Sequence, residues 1–347
     1  MQFKKVRYCT AGLACVLILP CLTTGQDVPP GFAGADSVVT QRGDLPAVRL
    51  TGEITEITGD TLAIRRSGTG RLQFVSTDDI TDITFVRHAD FDRALQLNSE
   101  GDYVQALKSL DRSLEEESRS WAVNEMQAAA VRICLRSGQY DDAVRRVELI
   151  LKSDARSRHV SLLPLTWDER LPMEERPSGT IRDLSSPSAV RQLVAASVLL
   201  GGEHHPSAER ILKKLREESG FRRLSDLAEA QLWRVPVLTQ NPDALSVLRI
   251  WQDHVRQMAV EAQPGPRFTL GRCLLMQHDL DAAVLMFLWP PLMSADDSAL
   301  AAASLAEAVH CLRNSGRPAE AEQMTAELKL RFPKCSAVRR IAEPPRP

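Results

Sequence analysis

The chain has 347 residues, a formal net charge of -2, 44% hydrophobic residues and only 5% aromatic ones. A near-neutral, faintly acidic balance gives no bulk attraction to nucleic acid or an anionic membrane. Few aromatics suit helices built from Ala and Leu better than a β-sandwich.

The first residues read as an export signal. Lys4, Lys5 and Arg7 make a positive start, Ala11 to Leu22 is a short apolar run, and Thr23-Thr24-Gly25 offers small residues for cleavage. Twelve apolar-biased residues are too few to span about 30 Å of hydrocarbon. Residues 1–25 are therefore expected to be a cleaved signal peptide, with Gln26 the new end and a periplasmic or extracellular destination. Loss of its three basic residues shifts the formal charge to -5. A lipoprotein is the rival reading because Cys15 and Cys21 lie nearby. Cys15 sits inside the apolar run and Cys21 follows Pro20, so no lipid anchor is expected. No later apolar run reaches eighteen residues, so no membrane span is expected either.

Residues 26–46 carry Pro29-Pro30-Gly31, Gly34 and Gly43 without periodicity and read as a flexible lead-in. Over 47–86 the period becomes two: Val48, Leu50 and Ile54 alternate with polar neighbours, and turns at Gly59-Asp60 and Ser67-Gly68-Thr69-Gly70 separate further short runs. Such spacing predicts a small antiparallel sheet or partly closed barrel, too small for a robust core of its own and so expected to dock on the first helices. It is loosely similar to SH3-like or Sm-like barrels in strand spacing alone. It lacks the stacking aromatics and Lys/Arg cluster of a nucleic-acid binder, so a structural or docking role is expected.

From Ala89 the period is helical. A small alanine recurs at Ala106, Ala143, Ala208, Ala244, Ala283 and Ala321, at intervals of 37, 65, 36, 39 and 38 residues. Gly101, Gly138 and Gly316 each stand five residues before one of them. Recurrence at this length means stacked helical hairpins. An alanine on the second helix lets the pair cross closely, and glycine after the first takes the left-handed conformation that ends it. Four residues after each alanine a large apolar residue (Leu110, Val147, Leu212, Leu248, Phe287) is expected to seal the seam; the last copy has Thr325 there. Leu270-Gly271, Leu274, Ala283 and Phe287, with Leu305, Ala308, Leu312, Gly316, Ala321 and Pro333 in the last copy, carry a family pattern. Residues 89–338 resemble a tetratricopeptide-repeat (TPR) array, weakest in copies three and four. The resemblance implies a mainly α fold: a right-handed α-solenoid of about six hairpins behind the β module, with a frayed tail at 339–347.

The doubled interval between Ala143 and Ala208 holds Pro164, Pro172, Pro177 and Pro187. That density of proline breaks helices, so residues 154–187 read as an insertion whose apolar stretch folds back on the repeats. It serves either as a specific binding element or as a structural brace.

Chemistry-bearing motifs are scarce. The chain has no phosphate loop, H-E-x-x-H, G-x-S-x-G or strand-linked G-x-G-x-x-G. Glu203-His204-His205 lacks a third metal ligand, and Asp168-Glu169 and Glu174-Glu175 read as solubilising charges. Cys134, Cys273, Cys311 and Cys335 read as packing residues. No enzyme activity, cofactor or metal is expected.

The TPR resemblance implies a concave groove lined by the first helix of each hairpin and suited to an extended peptide. In this register the groove carries Arg132, Arg136, Trp233, Phe268, Arg272, His310, Arg313 and Asn314. Arginines and aromatics suit an acidic or carboxylate-terminated peptide, although arginine is common here, 35 against 8 lysines. The family's carboxylate clamp of asparagines and lysines has no counterpart. The functional expectation is an exported, non-enzymatic scaffold of the bacterial envelope that binds a protein or peptide, with no nucleic-acid partner. The alternative is an envelope protein that binds a small ligand or glycan through the groove and insertion.

Overall fold

The computed structural model describes residues 35–42, 45–294 and 296–341, so the expected signal at 1–25 lies outside the described residues. It is mainly helical, with one five-stranded antiparallel sheet near its N-terminal end.

The strands are β1 (Asp36–Thr40), β2 (Val48–Thr58), β3 (Thr61–Arg66), β4 (Leu72–Ser76) and β5 (Ile80–Thr84), in the order β4-β3-β2-β1-β5. β1 falls in the segment read as a lead-in. Its run Ser37-Val38-Val39-Thr40 is too short to show a period between Gly- and Pro-rich neighbours, yet Val38 is fully buried between β2 and β5. The Asp36 carboxylate, also buried, accepts the N–H groups of Ile54 (2.9 Å) and Val86 (3.2 Å). It ties the bulge of β2, between Ile54 and Glu56, to the exit of β5. Val38, Leu50, Ile54, Leu62, Ile64 and Ile80 form the buried face. Phe85 extends that core toward the helices, its ring 6.0 Å from Phe91 and 5.2 Å from Trp121. The sheet thus shares its core with the first helices, as forty residues require.

The helices are α1 (Ala89–Ser99), α2 (Tyr103–Glu116), α3 (Ser120–Ser137), α4 (Tyr140–Ser153), α5 (Ala189–Leu199), α6 (His205–Glu218), α7 (Arg222–Leu232), α8 (Arg234–Leu238), α9 (Leu248–Gln257), α10 (Pro264–Met276), α11 (Leu280–Met293), α12 (Ser298–Asn314), α13 (Pro318–Arg331) and α14 (Ala337–Arg340). Helix packing runs mainly between chain neighbours: α1 on α2, α3 on α4, α5 on α6, α10 on α11 and α12 on α13. Ala106, Ala143, Ala208 and Ala283 are fully buried on second helices and Ala321 nearly so. Ala244 departs from the ladder. It lies in the 3-10 turn Pro242–Val247, because Asn241 caps that turn and the second helix of its hairpin begins only at Leu248.

The expected glycine breaks are present: φ is +82° at Gly101, +73° at Gly138 and +74° at Gly316. At Gly138 the following N–H, of Gln139, bonds Cys134 C=O at 2.8 Å, satisfying a carbonyl the helix end leaves free. The fifth hairpin has His278 at the equivalent place with φ of +60°, so the backbone keeps the conformation without the residue that suits it. Gly271 has a different duty. A Cβ there would meet the Phe287 ring at 2.7 Å, so its bareness seats the seam residue of α11 against α10.

Residues 339–341, expected to fray, are ordered. Ile341 is buried and its carbonyl accepts from Arg313 Nη1 at 2.8 Å. Among the described residues no helix is long and apolar enough to cross a membrane.

Candidate functional site

Residues 154–187 join α4 to α5 with three short 3-10 turns and otherwise irregular chain, as the prolines dictate. This strap packs against α3, α5, α7, α8 and α12. Arg158 and His159 anchor its start on α3: Arg158 Nη2 is 2.9 Å and His159 Nε2 2.9 Å from the Glu125 carboxylate. Thr166 N–H donates to Ser197 Oγ of α5 (3.1 Å), and its carbonyl accepts from Arg234 Nη1 of α8 (2.7 Å) and Gln231 Nε2 of α7 (3.3 Å). Trp167 lies flat on Gly265 of α10, where a Cβ would come within 1.9 Å of the indole. Glu175 accepts from Ser336 N–H (2.6 Å) and Oγ (2.9 Å), between α13 and α14.

The charge centre of the strap is Asp168, fully buried. It accepts from Arg170 Nε (2.7 Å) and Nη2 (3.0 Å) and from Arg340 Nη1 (2.7 Å), with Arg272 Nη1 at 4.0 Å. Next to it Glu169 meets Arg272 Nη1 at 2.8 Å and Arg234 Nη2 at 3.8 Å. Arg170 bridges onward to Glu307 Oε1 of α12 at 2.6 Å. Burial pushes the Asp168 carboxyl up, but the guanidinium groups of Arg170, Arg340 and Arg272 outweigh it and hold it well below the usual carboxylate range. Burial likewise brings Arg234 down to about 10, against the pull of Glu169. Arg234 Nη1 lies within hydrogen-bond distance of three acceptors, in Thr166, Ser197 and Gln231, while its Nε and Nη2 are buried without a hydrogen-bond partner among the described residues.

The eight expected groove residues separate on this geometry. Arg272 binds the strap, through Glu169. Arg132 and Arg136 reach across to Asp296 in the loop before α12, at 3.7 Å and 2.5 Å. Arg313 holds the Ile341 carbonyl, and His310 is half-buried beside Glu307, its imidazole pKa lowered by burial. Asn314 is exposed at the end of α12. Trp233 and Phe268 offer a peptide no surface. Trp233 is 1% exposed, stacked 5.5 Å from Trp251, and Phe268 is fully buried 5.6 Å from Phe287. Phe268 sits on the first helix α10 as placed and Trp233 at the junction of α7 and α8, but both face a neighbouring helix, a choice of side that hydrophobicity alone would have favoured.

The sequence reading missed Asp168 and Glu169 as structural groups, having taken them for solubilising charges. The signal available was their setting: an acidic pair directly after the apolar run Leu162–Trp167, in a chain rich in arginine. Residues Arg234 and Arg340 carried no such signal.

Other chemistry is thin. Among the described residues no group of three or more His, Cys, Asp or Glu side chains is arranged to hold a metal ion. Cys134, Cys273, Cys311 and Cys335 are free, and burial pushes their thiols up to between about 11 and about 12, far from reactive thiolate. An open cleft of about 390 Å³ separates the β2–β3 turn from the start of α7. Its charges are mostly matched: Arg223 pairs Asp78 at 2.5 Å and Asp60 at 3.4 Å, and Arg222 faces Asp226 at 3.7 Å. No protein-family model matches the chain, and no curated protein is similar to it.

Proposed function

We propose that the chain is an exported, non-enzymatic scaffold of the bacterial cell envelope, built as a right-handed TPR-like solenoid of about six hairpins, and that it acts by protein–protein contact. The observation that carries this reading is the strap. The inner helices hold the strap, an irregular stretch running from one 3-10 turn at Leu162 to the next at Glu175, through backbone hydrogen bonds, an indole seated on a glycine and arginine–carboxylate pairs. These are the contacts by which repeat grooves hold peptides. Buried alanines at the second-helix crossings and the left-handed breaks before them support the repeat reading.

In this reading the strap is the brace, and partner contact belongs to the outer faces. Filling the groove buries Val160, Leu163, Leu165, Trp167 and Leu171, each contributing about 1.5–3 kcal/mol, too much for a weak peptide to displace. A small-ligand or glycan role draws no support from the two tryptophans that would stack on a sugar, since Trp167 is 6% and Trp233 1% exposed.

Photo-crosslinking residues placed at exposed outer positions, such as Leu285 and Leu330, and at inner Arg272 test this reading in envelope fractions. Specific protein adducts are expected from outer positions alone. Adducts only at Arg272, or turnover on a substrate panel without any adduct, would overturn it. N-terminal sequencing of the exported product tests cleavage after Gly25.

A further inference from the structure

We propose that the free edge of β4 pairs antiparallel with the same edge of a second copy of this chain, making one continuous sheet across a two-fold axis. The inference is independent of the repeat reading, since it concerns the sheet alone.

The strand order leaves two edges, β5 and β4. The β5 edge is Ile80-Thr81-Asp82-Ile83-Thr84, with a charge at its centre and a register shift against it at Val39/Thr40. Charges and irregularity are how proteins blunt an edge against pairing. The β4 edge, Leu72-Gln73-Phe74-Val75-Ser76, carries neither charge nor proline nor bulge. Arg66 N–H bonds Arg71 C=O, and Thr77 N–H bonds Asp60 C=O, each at 2.9 Å. In an antiparallel ladder the bonded pairs alternate, so residues 71, 73, 75 and 77 spend their backbone groups on β3. The N–H and C=O groups of Leu72, Phe74 and Ser76 therefore point away from the sheet. Their side chains share one face, where Leu72 is 46% and Phe74 65% exposed.

An extended segment of any protein could meet those backbone groups. Charge selects a second copy. The hairpin end of the edge is basic, with Arg65, Arg66 and Arg71; among the described residues only Arg65 has a nearby carboxylate, Glu53 at 3.8 Å. The other end is acidic, with Asp60, Asp78 and Asp79, of which the first two share the single guanidinium of Arg223. Arg156 and Asp154, both at Gly59, offset one another there. A two-fold axis through Phe74 sets Phe74 opposite Phe74 of the second copy and Leu72 opposite Ser76, keeping every outward-facing residue in a bonded pair. The same operation lays each basic end on the other copy's acidic end, bringing Arg71 toward Asp79. An isologous contact requires that self-complementarity. Five residues of strand bury less than the standard interface of about 800 Å² per partner, so the dimer should be concentration-dependent.

Sedimentation velocity on the purified protein, from low micromolar to several hundred micromolar, tests the proposal. The expected result is a monomer–dimer equilibrium that Phe74→Asp shifts to monomer throughout. Phe74 is largely exposed, so an unchanged thermal melt will show that the variant still folds. Arg71→Asp should weaken the dimer, and the double variant Arg71→Asp/Asp79→Arg should restore it. Phe74→Cys should form an intermolecular disulfide on mild oxidation, since bonded pairs place Cα atoms about 5.5 Å apart. A protein monomeric at every concentration overturns the proposal, even where an added strand peptide binds. So does a dimer that Phe74→Asp leaves intact, or a double variant no better than Arg71→Asp.

Discussion

The Asp168 carboxylate accepts from Arg340 Nη1 at 2.7 Å, joining the middle of the strap to the last helix across 172 residues of chain. That pair, with Arg170 and Arg272 on the same carboxylate, makes the strap a strut between the second hairpin and the C-terminal end. Removing the negative charge leaves Arg340 without its carboxylate in a mostly buried setting, while Arg170 keeps Glu307 and Arg272 keeps Glu169. Asp168→Asn should therefore cost about 3–5 kcal/mol, the usual result of breaking a buried pair from one side. Chemical denaturation checks it. A loss below about 1 kcal/mol would mean that water reaches the site and that the strut is weaker than its geometry.

The apolar counterpart is Trp167 on Gly265. An added methyl at Gly265 would sit within 1.9 Å of the indole, so either the ring or α10 has to move. Gly265→Ala should destabilise by about 1–3 kcal/mol, as overpacking does. The increase in Trp167 exposure should appear as a red shift in fluorescence, absent when the same change is made in Trp167→Phe. Gly271→Ala should cost a similar amount without that shift, since its obstruction is Phe287 in the seam between α10 and α11.

The helices, the buried alanines and the position of the insertion were legible because they rest on local periodicity and on proline and glycine. The surroundings of the strap were not. Asp168 and Glu169 look like surface charges until Arg170, Arg234, Arg272 and Arg340 are brought around them, and those arginines lie as far as 172 residues away. Periodicity marks which helix a residue occupies more firmly than which neighbour it meets, so Phe268 was placed on the correct element but on a face it does not present, while Trp233 falls at the junction of α7 and α8, buried against Trp251. β1 escaped notice for a simpler reason: the run Ser37-Val38-Val39-Thr40 is too short and too irregular to show a period, and its partners β2 and β5 supply the rest.

His278 offers the reverse test, a change that should stabilise. It is exposed, and its φ of +60° is the conformation that Gly101, Gly138 and Gly316 adopt at the equivalent place. A side chain there costs about 1–2 kcal/mol through Cβ crowding, partly offset by the lower chain entropy it brings to the unfolded state. His278→Gly should raise stability by about 0.5–1 kcal/mol and move the thermal midpoint upward. A lowered midpoint would show that His278 makes contacts worth more than its strain.

Asp297 gives a pH dependence of definite sign. It caps α12, accepting Leu300 N–H at 3.0 Å, beside Tyr140, Glu175 and Arg176. Burial pushes its carboxyl up to about 6, with the Asp296 charge adding to the rise and the Leu300 bond opposing it. The folded state then holds this proton more tightly than the unfolded chain, where an aspartate titrates near about 3.9. Its contribution to stability is full below that value and is lost as pH rises through about 6. Asn keeps the capping oxygen and removes the charge. Measured by denaturation between about pH 4 and pH 7, the stability of Asp297→Asn relative to wild type should therefore rise by about 1–2 kcal/mol, a figure reduced from the full shift because the residue keeps some contact with water. A difference that stays flat over this range would mean that Asp297 ionises in the fold as easily as in the unfolded chain. A difference that falls would place a cation beside it, with Arg176 of the same cavity a candidate.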